Sequence, residues 1–243
     1  MAVRTKIRLF VEAPLGAAQG IVLNKEQSNY LFAVMRLKSG AHISVFNGCD
    51  GEWLAEVTSA NKRGGTLACV RQTAPLRLPP DLWLLFAPIK KARTAFIVEK
   101  ATELGVARIL PVLTDFTNTD RLNIDRLRAH ALEASEQCGG TFIPEVSDVE
   151  KLNTVLDNWP AERQVMFCDE TQTARPALEV LGEKMAGKWA IVIGPEGGFS
   201  GDEAEKLRAI PGVTPVSLGP RILRADTAVV TAISLWQSAL GDW

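Results

Sequence analysis

The amino-acid sequence predicts an α/β protein in which a small β-rich module precedes a larger domain with a mostly parallel sheet. Three prolines lie within residues 75–80 and resist both helix and central strand, which is typical of a linker. Short strand-like stretches dominate before this linker. After it, strands alternate with helices, the order expected of a parallel sheet covered on both faces. The predicted domains are therefore 1–74 and 81–243.

The N-terminal module is predicted to contain one helix and several short strands. The helix covers Lys25–Arg36, with Asn24 as its N-cap and Gly40 in the turn that follows. A turn-rich segment separates the first two strands, as in a hairpin with a longer loop. This pattern favours a small β-barrel-like module with strands at 43–46, 53–57 and 66–70.

The second domain shows a regular alternation of strands and helices. Residues 82–87 form a continuous apolar run, which suits a strand buried on both faces. Ser200 and Glu203 have the spacing of a capping box that begins a helix. The helix at 90–104 is predicted to bury Ala92, Phe96, Ile97, Ala101 and Leu104. The other predicted elements are strands at 108–113, 165–168, 190–193 and 213–218, and helices at 124–137, 201–208 and 225–240.

Composition points to a globular protein and away from several other classes. The chain has 243 residues, of which 47% are hydrophobic and 23% charged. No apolar run approaches the roughly 18 residues that span a bilayer, and no secretion signal follows the first residues, so a cytoplasmic protein without membrane contact is expected. The four cysteines form no Cys-x-x-Cys pair, and only two histidines are present, so no metal site is predicted.

Charge is distributed unevenly along the chain, although the formal net charge is only −1. Residues 1–80 carry ten basic and five acidic side chains, whereas residues 81–243 carry 17 basic and 23 acidic ones. This asymmetry is compatible with a basic N-terminal module that meets phosphate. A chance fluctuation of surface charge would also produce a difference of this size.

Two glycine-containing loops near the C-terminus are the candidate ligand site. Ile191–Ser200 and Ser217–Ala228 each lead from a predicted strand into a helix, and ligands bind at such edges of α/β sheets. The first loop matches neither the dinucleotide fingerprint nor the P-loop, and it lies late in the domain. An ordinary nucleotide-binding α/β enzyme is therefore disfavoured, but a tight turn without any ligand would also be rich in glycine.

With these two loops, the chain resembles the bacterial 16S ribosomal RNA uracil-N3 methyltransferases of the SPOUT superfamily. Residues 193–200 and 218–228 resemble that family's C-terminal motifs in order and spacing. The segments 8–10, 30–40 and 45–48 resemble its PUA-like RNA-binding domain, and 100–106 and 133–137 resemble its central pattern. The chain departs from the family at Asp226, where glutamate is more frequent, and after Gln137, where an arginine often follows.

The resemblance implies a C-terminal trefoil-knot methyltransferase domain, S-adenosylmethionine as cofactor, and a homodimer. It implies methylation at N3 of the family's target uridine 1498 in 16S ribosomal RNA, within the small ribosomal subunit. Carried over position by position, the expected cofactor-binding residues are Phe167, Cys168, Ile193, Gly194, Glu196, Gly197, Gly198, Leu218, Gly219, Ile222, Leu223, Arg224, Thr227 and Ala228.

Methylation at N3 requires loss of a weakly acidic proton from the Watson–Crick edge of an unpaired base. We expect Arg224 to stabilise the resulting negative charge, and Glu196 or Asp226 to accept the proton or orient the group that does. Glu196 also precedes a capped helix and has an equally plausible structural role there. The expected RNA contacts are Arg8, Arg36, Lys38, Lys62, Arg63, Lys90, Lys91 and Arg93.

Two other functions remain open at this point. A knotted enzyme acting on a ribose 2′-hydroxyl would contain similar glycine loops. A catalytically inactive RNA-binding protein of ribosome assembly would share the basic module but would not bind the cofactor.

Overall fold

The computed structural model describes residues 5–118, 122–169 and 174–243. The chain divides into two compact units. The first comprises Met1–Leu78 and Ser135–Ile143, and the second comprises Pro79–Ala134 and Pro144–Trp243. Residues 135–143 thus belong to the N-terminal unit. They were expected in the second domain because the helix predicted at 124–137 extends into them.

A five-stranded sheet forms the N-terminal unit. Its strands are β1 (Arg8–Phe10), β2 (Gly20–Val22), β3 (His42–Phe46), β4 (Glu52–Ser59) and β5 (Thr66–Ala74), in the order β1-β3-β4-β5-β2. β1 and β3 are parallel, and the other pairs are antiparallel. The predicted hairpin is confirmed as β3 and β4. Ile21, Leu31 and Ile43 are among the side chains that form the buried core beneath the sheet.

The helical segment of this unit differs from the single predicted helix. Helix α1 (Lys25–Asn29) begins at a capping box made by Asn24 and Gln27, which confirms the predicted N-cap. A π-helical turn, Tyr30–Val34, then replaces the expected α-helical continuation. Its wider turn is compatible with the burial of two successive apolar residues, Leu31 and Phe32. Arg36 follows with a φ of 57°, a left-handed conformation uncommon for a residue with a side chain.

A parallel sheet forms the centre of the second unit. Its strands are β6 (Leu82–Phe86), β7 (Arg108–Leu113), β8 (Glu145–Val146), β9 (Glu150–Lys151), β10 (Gln164–Cys168), β11 (Trp189–Ile193) and β12 (Val213–Val216). The order is β12-β10-β11-β6-β7-β8, with β9 also paired to β7, and every pair is parallel. The helices are α2 (Lys91–Glu103), α3 (Ile124–Cys138), α4 (Leu152–Asp157), α5 (Ala177–Leu181), α6 (Gly201–Ala209) and α7 (Ala225–Leu240).

Both faces of this parallel sheet are buried, as the apolar run at 82–87 predicted. Successive residues of β6 alternate between two apolar clusters, with Leu84 in one and Leu85 in the other. Residues of α2, α3, α5 and α7 belong to the first cluster, and residues of α4 and α6 belong to the second. The predicted fold class is confirmed: a small N-terminal sheet is followed by an α/β domain covered on both faces.

The buried face of α2 differs in part from the predicted one. Ile97 and Ala101 are buried as expected, but Phe96 is exposed and Thr94 takes an inner position. Thr94 can lie there because its hydroxyl donates to the carbonyl oxygen of Ile89 at 2.9 Å. A hydrogen bond from the helix to the loop before it thus allows a polar residue to lie on the buried face of α2.

Candidate active site

The two glycine loops lie side by side at one edge of the parallel sheet. They follow the carboxyl ends of β11 and β12, and the end of β10 and the start of α2 lie at the same edge. Together these segments enclose a cavity of about 530 Å³. Its volume is that of a small-molecule site, and its position is where α/β sheets bind ligands.

The first loop is held by a close approach of its backbone to an aromatic ring. A side chain on Gly194 would place its Cβ 2.8 Å from Cε2 of Phe199, closer than such atoms can come. Phe199 packs edge-on against Phe167, with ring centroids 5.5 Å apart. Glycine is therefore required at position 194 by the packing behind the cavity.

The capping box at the end of this loop does more than begin α6. Glu203 is buried, and its carboxylate accepts hydrogen bonds from the backbone amides of Ser200 at 3.0 Å and Asp115 at 2.9 Å. The Ser200 hydroxyl also donates to the Asp115 carboxylate at 2.6 Å. The predicted capping box is confirmed, and its hydrogen bonds to Asp115 also link the loop after β7 to the glycine loop.

The second loop supplies apolar side chains and a free cation. Leu218, Ile222 and Leu223 line the cavity together with the backbone of Gly219. Arg224 is the N-cap residue of α7 and is exposed at the cavity. Within residues 5–118, 122–169 and 174–243 its guanidinium forms no ion pair. It is thus available to a negatively charged group.

Arg93 connects the two carboxylates that the sequence analysis proposed for catalysis. Its Nη1 lies 3.2 Å from Oε1 of Glu196, and its Nε lies 3.8 Å from Oδ2 of Asp226. Glu196 lines the cavity, whereas Asp226 lies in the first turn of α7 and does not line it. Arg93 was expected to contact RNA as a basic residue, because local sequence does not reveal partners more than 100 residues away.

Most of the predicted cofactor residues meet at this cavity. Those that line it are Cys168, Ile193, Gly194, Glu196, Gly198, Leu218, Gly219, Ile222, Leu223, Arg224 and Ala228. Three others do not line it. Phe167 is buried behind the loop against Phe199, Gly197 faces the Phe116 side chain, and Thr227 is exposed on α7.

Several residues that line the cavity were not predicted from the sequence. Among them, Asp169 contributes a carboxylate. It follows the last residue of β10, the predicted Cys168, and its carboxylate pairs with Nη2 of Arg208 at 2.8 Å. Its position at a strand end was the signal that could have identified it. Burial raises the pKa of the neighbouring Cys168 thiol, so that side chain acts as a neutral apolar wall.

Arg8 has a structural position that removes it from the expected RNA contacts. Its Nε lies 2.6 Å from the Glu52 carboxylate, and its guanidinium stacks 3.7 Å from the centroid of the Phe46 ring. It also donates to the carbonyl oxygens of Ser135 and Gly140. The guanidinium of Arg8 therefore donates its hydrogen bonds to acceptors within the N-terminal unit. Arg36, Lys38, Lys62, Arg63, Lys90 and Lys91 are exposed.

The cavity suits S-adenosylmethionine in shape and chemistry. Ile193, Leu218 and Ile222 provide apolar surface for an adenine ring. The carboxylates of Asp169 and Glu196 also line the cavity, where they are paired with Arg208 and Arg93. Among the residues that the structure describes, no group of three acidic, histidine or cysteine side chains could hold a metal ion, and no helix is long and apolar enough to cross a membrane.

Comparison with known proteins identifies the family. A family model for an RNA methyltransferase domain matches residues 76–237, and one for an RNA methyltransferase PUA domain matches residues 23–67. The chain therefore belongs to the RNA methyltransferase family with this pair of domains. This result confirms the resemblance found from the sequence.

Its relatives specify the family further. A Rickettsia conorii protein named ribosomal RNA small subunit methyltransferase E is 30% identical over 93% of both chains. A Bacillus subtilis protein of the same name is 27% identical over 92% of this chain and 90% of its own. Among solved structures, a putative Legionella pneumophila methyltransferase in complex with S-adenosylmethionine is 28% identical, with a TM-score of 0.89 over 99% of this chain and 100% of that chain.

Proposed function

We propose that this chain binds S-adenosylmethionine in the cavity and transfers its methyl group to N3 of a specific uridine in 16S ribosomal RNA. The proposal depends most on one observation: an apolar, glycine-lined cavity at the sheet edge contains Arg224, whose guanidinium forms no ion pair with any residue that the structure describes. The relatives named ribosomal RNA small subunit methyltransferase E support the substrate class, and the similar Legionella structure with bound S-adenosylmethionine supports the cofactor.

The reaction replaces the N3–H bond of uracil with an N3–CH₃ bond and releases the N3 proton. The cofactor supplies an electrophilic methyl group on a positively charged sulfur. Glu196 lines the cavity and Asp226 does not, so we assign acceptance of the proton to Glu196 and a supporting role to Asp226. Arg224 stabilises the negative charge that develops on the uracil as the proton leaves.

The protein must also align N3 with the methyl group and exclude water from it. Leu218, Ile222 and Leu223 form an apolar wall suited to this task. Ile222 is 85% exposed, which is the position expected of a side chain that becomes covered when a base enters.

RNA contact is assigned to the exposed cations and not to Arg8. In the N-terminal unit these are Arg36, Lys38, Lys62 and Arg63, and in the second unit they are Lys90, which lines the cavity, and Lys91. Because such residues displace counterions from phosphates, we expect binding to weaken steeply with added salt. We also propose a homodimer, a trefoil knot in the second unit and a cytoplasmic location, all implied by the family resemblance.

The test measures the product nucleoside. Purified protein would be incubated with labelled S-adenosylmethionine and small ribosomal subunits that lack the modification, and the nucleosides would be separated. We expect the label in 3-methyluridine. Label in a 2′-O-methylated ribose, or in transfer RNA alone, would refute the N3 assignment, and failure to bind the cofactor by calorimetry would favour a non-catalytic assembly protein.

Arg224→Ala is expected to lower kcat by about 100-fold, the usual cost of losing one group that stabilises transition-state charge. Because Arg224 also lines the cavity, calorimetry would measure the affinity for S-adenosylmethionine separately from kcat. Arg224→Lys keeps the charge and should recover part of the activity. Full turnover by Arg224→Ala would remove Arg224 from the mechanism.

A further inference from the structure

The ion pairs of Arg93 join three segments that are distant in the sequence. Arg93 lies in the first turn of α2, Glu196 lies in the loop after β11, and Asp226 lies in the first turn of α7. The guanidinium reaches Glu196 with Nη1 at 3.2 Å and Asp226 with Nε at 3.8 Å. Both carboxylates therefore lie within 4 Å of a single cation at the cavity.

We propose that Arg93 is a positioning residue that holds the two cofactor loops in their binding arrangement and orients Glu196. Arg93 bridges the two carboxylates, so its removal would leave both without their shared cation and would remove a link between the loops that carry them. The planar guanidinium presents several donors in a fixed fork, so it can engage two acids at once, whereas an ammonium group is a single point charge. The inference rests on the proposed function only in placing the cofactor in this cavity.

The position of Arg93 argues against a direct contact with RNA phosphate. A phosphate bound there would have to displace two carboxylates and then remain beside them. Lys90 and Arg224 line the same cavity and form no ion pair within the described part of the chain, so they are better placed for a phosphate. Among the described residues, Lys90 and Arg224 therefore have no ion-pair partner, whereas the charge of Arg93 is neutralised by two carboxylates.

Cofactor binding without RNA provides the test. S-adenosylhomocysteine is the probe because it lacks the positive sulfur, so its affinity reports loop arrangement more than the change in local charge. Calorimetry would compare the parent protein with Arg93→Ala and Arg93→Lys. Lys100→Ala is the matched control: it removes an ion pair with Glu103 near the other end of the same helix, away from the cavity.

We expect Arg93→Ala to raise the Kd for S-adenosylhomocysteine about tenfold. Arg93→Lys should give an intermediate value, and Lys100→Ala should match the parent. On small ribosomal subunits, Arg93→Ala should lower kcat while the KM for the subunit stays within about twofold. The thermal midpoint should fall by only about 2–4 °C, as expected for the loss of partly exposed ion pairs.

The opposite pattern would overturn the proposal. If Arg93→Ala binds S-adenosylhomocysteine as the parent does, Arg93 does not position the cofactor loops. A raised KM for the subunit with an unchanged kcat would indicate that Arg93 contacts RNA and does not position the loops. Because the calorimetry contains no RNA, a product other than 3-methyluridine would refute the proposed function and leave the test of Arg93 intact.

Discussion

Replacing Gly194 with alanine tests the packing behind the cavity. The new Cβ would lie 2.8, 3.1 and 3.2 Å from three carbons of the Phe199 ring, so the ring must retreat by about 0.6 Å to reach an ordinary contact of 3.4 Å. Phe199 already packs against the buried Phe167, and overpacking of this kind costs about 1–3 kcal/mol. For a chain of this length, a loss of about 2 kcal/mol lowers the thermal midpoint by about 4–8 °C.

The same substitution should weaken cofactor binding because Gly194 also lines the cavity. Thermal unfolding and calorimetry with S-adenosylmethionine would measure the two effects. Gly201→Ala is the control, since a Cβ at this first residue of α6 has no neighbour within 4 Å and alanine favours helix. If Gly194→Ala keeps both the midpoint and the affinity of the parent, the close approach to Phe199 is not a constraint.

Two further substitutions test the N-terminal unit. Arg8→Ala removes the only cation paired with the mostly buried Glu52 among the described residues and should cost about 3 kcal/mol in denaturant unfolding; a loss of RNA affinity at unchanged stability would contradict this structural role. The Leu15 amide and the Asn47 side chain donate to Asp50 and lower the pKa of its carboxyl. The ionised group therefore stabilises the fold above its unfolded-state pKa, and this contribution is lost as pH falls through the folded-state value. Asp50→Asn should destabilise the protein at about pH 7 more than at about pH 3, and equal losses at both would refute the linkage.

Elements with long, regular patterns could be predicted closely from the sequence. Helix α7 and strand β7 have the predicted bounds. The apolar residues of α7 recur with a helical period, whereas β7 is a short continuous apolar run. The ligand edge of the sheet could also be predicted, since glycine loops that follow parallel strands must meet there.

Long-range side-chain contacts could not be predicted from the sequence. Arg8 and Arg93 were both expected to contact RNA, as exposed basic residues do, and local sequence gives no sign that carboxylates more than 40 and more than 100 residues away neutralise them. The short strands β1 and β2 have three residues each, too few to show a period. They form because partners from distant parts of the chain hydrogen-bond with them.

The contacts of Arg8 and Phe10 bear on the order of events during protein synthesis. The Phe10 amide donates to the Glu136 carboxylate at 2.7 Å, and Arg8 donates to the carbonyl oxygen of Gly140. The N-terminal unit therefore cannot be completed when residue 78 leaves the ribosome. It must wait for residue 143, about 3–13 s later at typical rates of about 5–20 residues per second. A fragment ending at the proline segment would lack these partners, and the first strand would be among the last parts of the unit to become fully bonded.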